Sequence, residues 1–584
     1  MAFWLIRAGL AAVTGGAAAW RFDLVGPDDH MRLLQIRAFL DGQAWHDLMQ
    51  ARLGADGLFY HWSRLADLPV AAIAFLLKPF LGLEPALSLA VIAAPLLLML
   101  GLFAAVCSLA GRLAADGRAG WIAGALLLTA YYAIAQFLPG RIDHHGLQIL
   151  FAAGSLLGVV LSIRRPAWAL ASAACAGLAI ALGVEGVPYA VAAAAALALR
   201  ALSGEARDGA ALTYFGAGLS AALVVFYGRS GVWLTPYAQS CVAFSSVYLS
   251  AGTMLAAGCA ACGLAFPRLS DVRLRLLAGA GVSAAAGAAF LWLYPTCPAI
   301  AWSPEGRGLA ENGLDAELAA LWLGWVRETL NAVELARADW RQFMPAYLFP
   351  AAALAACAWL WRSAPKRRDW LAACSVFLSV AFAVSLFQYR AAMFSQMLAV
   401  PPAAALIAIL WRRAGERGAS LVPAVLAAFI LNGASYSAIA GLAPVTQSGR
   451  AIDAAARCES RESVQRLVDL PAGGVAAPIN IGPLILAHTP HRVWAAPYST
   501  NFDNTLAAYR AFAAPLGEAG AALAAMGADY VAICAGAMEE RGIAQAYPNS
   551  LIAALLEGRP PAYLSVIHAP ESGLRVYRVE GTPS

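Results

Sequence analysis

Long apolar runs, one after another, constrain this chain more than any other feature. Segments of about 17–25 mainly apolar residues are long enough to cross a bilayer as helices. They fall near 3–20, 87–110, 119–138, 146–163, 167–184, 187–200, 210–228, 249–266, 274–294, 343–361, 370–387, 391–411 and 419–440. In hydrocarbon every backbone polar group needs a partner within the protein, so such runs fold as helices. Of 584 residues, 61% are hydrophobic and 13% charged, and mean hydropathy is +0.65. Soluble proteins are nearer half apolar and a quarter charged. The chain therefore reads as an α-helical polytopic membrane protein. Its net charge of +5 follows from arginines in the loops, so no nucleic-acid partner is read from it. The first run carries Arg7 and lacks a clear cleavage site. It reads as an uncleaved first helix, with a signal peptide as the alternative.

Residues 69–83 are apolar too, but short and interrupted by Lys78-Pro79. Whether they cross decides the topology. Basic clusters occur at Arg112/Arg118, Arg164/Arg165, Arg200/Arg207, Arg268/Arg273/Arg275, Arg362/Lys366/Arg367/Arg368 and Arg412/Arg413/Arg417. If 69–83 stays outside, all of these face the cytoplasm; if it crosses, all move out. The positive-inside rule selects the first arrangement. It gives about thirteen spans, the N-terminus inside, the C-terminus outside, and 69–83 as an external or re-entrant helix. The same parity puts 21–68, 139–145, 229–248, 295–342 and the tail after 441 outside. The expected division is a transmembrane unit, 1–440, with outer loops 21–68 and 295–342, and an extracytoplasmic α/β domain, 441–584. In that tail, Val475–Ile481 and Val531–Ile533 read as strands and 503–526 as helical. Cys259 and Cys262 form a CxxC inside an apolar run, where packing is a simpler reading than metal or redox chemistry.

Against this apolar background, two polar clusters stand out just outside spans. The first is Gly26-Pro27-Asp28-Asp29-His30-Met31-Arg32, followed by Arg37 and Asp41. Pro27 permits a helix start, which places Asp28 and Asp29 at its positive end. The second is Arg141-Ile142-Asp143-His144-His145. An Asp and a His two residues on can both face a cation from a turn or a helix start. Mg²⁺ and Mn²⁺ accept carboxylate oxygen, and Mn²⁺ also accepts imidazole. A helix cap with surface ion pairs is the plainer reading of either cluster. Between them, Trp45, Phe59, Tyr60, His61 and Trp62 form either an aromatic belt or a sugar-stacking surface. The loop 295–342 offers Glu305, Glu311, Glu317, Glu328 and Glu334. Glu328 lies in an amphipathic stretch and is the one expected to turn inward. Arg390 opens a span at its outer end, against the positive-inside pattern. That suits an anionic partner such as a lipid phosphate, with snorkelling to headgroups as the alternative. Glu185 is also near the outer surface, with no role assigned. The chain contains neither a GxSxG elbow nor a Walker loop, which disfavours a soluble-type hydrolase and an ATP-driven pump.

The order of these features resembles the GT-C glycosyltransferases, and among them the catalytic subunit of oligosaccharyltransferases. That order is an outer Asp motif with a following arginine, a surface helix, Asp-His-His after the next spans, a glutamate in the long outer loop, a late Arg and an external C-terminal domain. The resemblance covers most of 1–440 in architecture and is strongest over 21–150. It implies divalent-metal-dependent transfer of a sugar or oligosaccharide from a polyprenyl phosphate or pyrophosphate. By that comparison Asp28 or Asp29 is the first-loop catalytic carboxylate, and Asp29, Asp143 and His145 hold Mg²⁺ or Mn²⁺. Glu328 is the catalytic loop glutamate, and Arg390, with Arg32 and Arg141, faces the donor phosphate. The Trp-Trp-Asp-Tyr-Gly motif that reads peptide acceptors in the family has no counterpart; Trp494-Ala495-Ala496-Pro497-Tyr498 is nearest. The acceptor is thus left open among an envelope glycan, a lipid and a protein. The expected setting is a bacterial inner membrane with the site on the periplasmic face. The rival is a transporter or flippase of a lipid-linked glycan, whose ionisable groups would sit near the midplane.

Overall fold

In the computed structural model the apolar runs become a helical bundle. The structure describes residues 1–60, 62–235, 238–241, 243–297, 317, 321, 326–417, 420–442, 458–498, 501–571 and 573–580. His61, Glu305 and Glu311 lie outside the described residues. The helices of the first half are α1 (Ala2–Trp20), α2 (Pro27–Leu40), α3 (Leu68–Leu81), α4 (Leu83–Ala114), α5 (Gly117–Leu127), α6 (Tyr131–Ala135), α7 (His145–Ser162) and α8 (Trp168–Leu182). They continue as α9 (Val187–Ala201), α10 (Ala206–Ser230), α11 (Ser246–Ala265) and α12 (Val272–Leu293). After the long loop come α13 (Ala332–Ala338), α14 (Trp340–Ser363), α15 (Arg368–Phe387), α16 (Ala392–Arg417), α17 (Val422–Ile430) and α18 (Gly433–Gly441).

Among the described residues, 10 helices are long and apolar enough to cross a membrane, and the pair α17–α18, bent by 67°, adds one more. The chain is a multi-pass membrane protein. Besides this bent pair, which replaces the expected span 419–440, two further expected spans depart from a single crossing helix. The run 119–138 breaks into α5 and α6, and the run 167–184 gives α8, only 15 residues long. The first break is tolerated because the Tyr132 N–H freed by it donates to Gln396 Oε1 at 3.0 Å. The second ends at Gly183, where the chain turns toward polar groups described below.

Gly82, at φ 78°, separates α3 from α4. Val70, Ala71 and Ala74 of α3 pack on Leu87, Ala90, Val91 and Ala94 of α4. Phe75, Leu76 and Phe80 on the other face are exposed. α4 has 32 residues, which at 1.5 Å each is about 48 Å, longer than the roughly 30 Å hydrocarbon core. α3 packs beside the first turns of α4. At the opposite end the arginine turns contact one another. Arg207 donates to the Ile163 carbonyl, Arg275 donates to the Leu202 carbonyl at 2.8 Å, Arg413 donates to the Ser363 carbonyl, and Arg164 and Arg367 both lie over Trp370.

The tail carries β3 (Gly474–Ala476), α19 (Gly482–His488), β4 (Arg492–Val493), α20 (Phe502–Ala513), α21 (Leu516–Met526), β5 (Tyr530–Ala535), α22 (Met538–Ala546), α23 (Leu551–Leu556), β6 (Leu564–His568) and β7 (Gly573–Val579); β1 (Met49–Gln50) and β2 (Leu58–Phe59) pair in the loop 21–68. The five-stranded sheet has the order β4-β3-β5-β7-β6, parallel on the first side and antiparallel on the second. The strand expected over Val475–Ile481 stops at Ala476, because Pro478 cannot donate to a ladder. The helix expected over 503–526 is two helices, because Pro515 disfavours helix at Ala514 and opens α21. Four of the ten cysteines pair, as Cys241–Cys297 and Cys458–Cys534, while Cys259 and Cys262 stay free and buried.

The loop 21–68 is built into this domain. Gly54 donates to the Val493 carbonyl at 2.8 Å, and Val493 donates to the Arg52 carbonyl at 3.0 Å. The Arg52 guanidinium reaches the carbonyls of Leu486, Thr489 and His491. Met31, Leu48, Leu53 and Tyr60 share one core with Val475, Ile485, Val493 and Tyr498. The α2 region and the tail domain are thereby held in register above the bundle.

Candidate active site

The site forms where α2, the turn before α7 and the starts of α9 and α16 converge. Gly26, in extended conformation, caps α2, and Pro27 takes its first turn. This sets Asp28 and Asp29 on the positive end of the helix. The two acids have different surroundings. Asp29 is fully buried, and Oδ1 accepts the N–H groups of Ile142 at 2.7 Å and Asp143 at 2.9 Å. Oδ2 accepts Arg141 Nη1 at 3.1 Å. Asp29 therefore holds the second motif in place. Asp28 lines a cavity of about 190 Å³ above it.

Asp143 Oδ1 accepts the His144 N–H at 2.6 Å and meets His144 Nδ1. Asp143 Oδ2 lies 3.3 Å from His145 Nε2, is buried and has no hydrogen-bond donor among the described residues. Ligand atoms of Asp143, His144 and His145 all lie within 4.8 Å of one another. Burial holds the Asp28 carboxyl well above its ordinary range, and the Asp143 charge adds to this. Burial also pushes Asp29 up to about 6, against the pull of Arg141. Burial alone would raise Asp143 too, but His144 and His145 hold it well below the usual carboxylate range.

Arg390 reaches the site from the start of the span containing α16. Nη1 lies 3.1 Å from Glu185 Oε1, and Nε lies 3.2 Å from Glu328 Oε2. The sequence assigns Glu185 no role, because its distance along the chain from both motifs conceals this contact. Glu328 comes from a short turn before α13. Its neighbours in the loop are used elsewhere: Glu334 closes a capping box with Asn331, and Glu317 pairs with Arg510 at 2.7 Å. Arg141 stays between Asp29 and Gln136. Arg32 is not brought to the cavity. It is fully buried, 3.1 Å from Asp67, with Trp62 stacked on it at 4.7 Å.

The cavity has two further walls. Leu182, Val184, Phe226, Val232 and Phe244 form an apolar one toward the bundle. Trp45, Phe59, Tyr60, Trp62 and Tyr498 form an aromatic one from the loop 21–68 and the tail domain. Trp62 lies 5.2 Å from both the His144 and the Tyr498 ring. Trp494 faces the other way: it fills the core against Gly474.

No family model matches the chain, and no curated protein matches it in sequence. Solved structures do. The archaeal oligosaccharyltransferase AglB from Archaeoglobus fulgidus, in complex with an inhibitory peptide and a dolichol-phosphate, aligns with a TM-score of 0.62 at 15% identity. The alignment covers 96% of this chain and 73% of that one. The apo form of the A. fulgidus enzyme gives 0.61 at 16% identity, over 91% and 69%. Its complex with Zn and sulfate gives 0.59 at 15% identity, over 99% and 73%. The chain has the GT-C fold of the oligosaccharyltransferases. Within that fold Asp28, His144, His145, Glu185 and Arg390 line one cavity, and Glu328 reaches it through its contact with Arg390.

The donor set also fits a divalent cation. Asp143 Oδ2 is an orphaned buried acceptor beside a histidine nitrogen. Among the described residues, the carboxyls of Asp28, Asp29, Asp143, Glu185 and Glu328 face mainly the guanidiniums of Arg141 and Arg390. Such an excess of carboxyls over guanidiniums around one site favours an added cation.

Proposed function

We infer that this protein is a metal-dependent glycosyltransferase of a bacterial inner membrane. It transfers a sugar or oligosaccharide from a polyprenyl-phosphate-linked donor to an acceptor on the periplasmic face. The observation that carries the reading is the cavity itself. A cation-ready Asp-His-His cluster, an inward arginine and an apolar wall from the bundle open on one space, as a lipid phosphate carrying a sugar would require. The dolichol-phosphate in the archaeal neighbour supports a polyprenyl carrier, and the Zn in another complex of that enzyme supports a divalent ion. Two disulfides support an oxidising outer side.

Asp143 and His145 would hold Mg²⁺ or Mn²⁺ with Asp28 in place of the expected Asp29, whose oxygens already accept from Arg141, Ile142 and Asp143; the ion when bound stabilises negative charge growing on the leaving phosphate. Arg390 contributes to the same end from the other side of the cavity, by charge-assisted hydrogen bonds to phosphate oxygen. Glu185 and Glu328 fix the guanidinium in place. As the bond from the anomeric carbon to phosphate oxygen breaks, an acceptor oxygen or nitrogen bonds that carbon on the opposite face. The acceptor proton passes to a carboxylate, for which Asp28 is placed, with Glu328, paired to Arg390, as the second acid. The aromatic wall gives the sugar a stacking surface.

The transporter reading predicts ionisable groups near the midplane; here they gather at one end. The two separate in proteoliposomes supplied with a labelled polyprenyl-phosphate sugar, by assaying free polyprenyl phosphate alongside lipid movement. Cleavage that is lost in Asp143→Ala and Arg390→Glu supports the transferase. Movement of intact lipid without cleavage overturns it.

A further inference from the structure

Two side chains outside the expected motif set, Glu185 and Gln148, link two of its members in a continuous chain. Arg390 Nη1 donates to Glu185 Oε1 at 3.1 Å. Gln148 Nε2 donates to Glu185 Oε2 at 3.2 Å. Gln148 Oε1 faces His145 Nδ1 at 3.2 Å, one helical turn along α7. His145 Nε2 then lies 3.3 Å from Asp143 Oδ2.

The polarity of this chain is forced from one end. A carboxylate beside a guanidinium only accepts. Gln148 must therefore turn its NH₂ toward Glu185 and its carbonyl oxygen toward His145. That oxygen also only accepts, so His145 Nδ1 must carry a proton. In neutral imidazole the other nitrogen, Nε2, then keeps its lone pair. Nε2 and Asp143 Oδ2 are close but not aligned as a hydrogen bond, since Oδ2 has no donor. Arg141 Nη2 lies 3.9 Å from Oδ2, beyond hydrogen-bond range, so the two lone-pair atoms repel unless both point at a shared cation. Space for the relay is made by Gly183: a Cβ there would come within 2.6 Å of Glu185 Oε2 and 2.8 Å of Gln148 Nε2.

We propose that Glu185 and Gln148 are positioning residues that fix His145 in its Nδ1–H tautomer, so that Nε2 and Asp143 Oδ2 together ligate a divalent cation. This rests on reading the site as a cation site. Through its second oxygen Glu185 also orients Arg390, so one carboxylate aligns both cationic elements of the site.

The test is Mn²⁺ binding to the purified full-length protein in detergent, followed by electron paramagnetic resonance, with size exclusion confirming that each variant is folded. Gln148→Leu should weaken binding by 10- to 100-fold, the range for loss of an outer-shell partner. Gly183→Ala should weaken it too, by displacing both relay atoms. The double change Gln148→Glu/Glu185→Gln exchanges amide and carboxylate but keeps the polarity. The new amide accepts from Arg390 through its oxygen and donates through its nitrogen to the new carboxylate, which accepts from His145 Nδ1. The double variant should bind to within about threefold of the parent. Parent-like binding by Gln148→Leu, or a double variant no better than Gln148→Leu, overturns the relay while leaving the cation site standing. A parent protein that binds no Mn²⁺ overturns both.

Discussion

Asp28 and Asp29 are adjacent in sequence and alike in chemistry, yet their surroundings assign them different work. Asp29 accepts two backbone N–H groups and an arginine; Asp28 faces the cavity. An amide at this position can still accept both N–H groups, so Asp29→Asn should cost about tenfold in transfer rate, roughly one charge-assisted hydrogen bond. Asp28→Asn removes the carboxylate that meets substrate or cation and should cost on the order of a thousandfold. Steady-state release of polyprenyl phosphate by both variants checks this; equal losses would merge the two roles. A second residue-scale expectation concerns stability. Glu540 is buried in the tail domain, with Oε1 accepting the Cys534 N–H at 3.1 Å and Oε2 without a donor among the described residues. Burial, with a contribution from Glu459, raises its carboxyl from 4.5 to about 7. A group raised on folding contributes stability that is complete below about pH 4.5 and is lost as pH rises through 7. Glu540→Gln keeps the acceptor for Cys534 and removes the ionisation. It should stabilise the tail domain at pH 8 by on the order of 3 kcal/mol and by little at pH 4. Hydrogen exchange over β5 and β7 in the full chain reads the difference, and parallel pH curves for parent and variant would refute it.

At the scale of elements, the apolar runs were legible because the bilayer fixes their length, and the C-terminal strands in part because Val475 and Val531 sit in short apolar runs. Breaks were not legible. The α5–α6 break depends on Gln396, 264 residues away in sequence, which supplies the acceptor for the Tyr132 N–H. Gln396→Leu should therefore destabilise the bundle by about 1–3 kcal/mol, seen as a lower melting temperature in detergent; an unchanged midpoint would show that the break is satisfied otherwise. Helix α3 carries the topology. Reporters fused after residues 115 or 205 should report cytoplasm, and after 320 or 450 periplasm, because the arginine turns form one end of the bundle. Periplasmic signal at 115 would mean that α3 crosses, and the outer-face site would move to the cytoplasm.

At the scale of the whole molecule, the tail domain and the loop 21–68 share strand contacts and a core, so the aromatic wall of the cavity is made jointly by Trp62 and Tyr498. Trp494, the nearest trace of a peptide-reading motif, is buried in that domain instead. Purified protein given donor lipid and an Asn-x-Ser/Thr peptide should form no glycopeptide, whereas lipid or glycan acceptors should be modified; a glycopeptide found by mass spectrometry would reverse this. The sequence by itself determined the membrane class, the approximate spans and the clustering of arginines in the turns between them, because hydrocarbon length and charge distribution act locally along a chain. It also marked Asp28, Asp29, Asp143, His145, Glu328 and Arg390 as out of place in apolar surroundings. Only the tertiary structure separated Asp28 from Asp29, withdrew Arg32 from the cavity to Asp67, and brought Glu185 and Gln148 into the site. Those outcomes depend on which atoms lie within about 3 Å of each other across distant segments, and hydrogen-bond geometry at that range leaves no periodicity or composition in the chain to read.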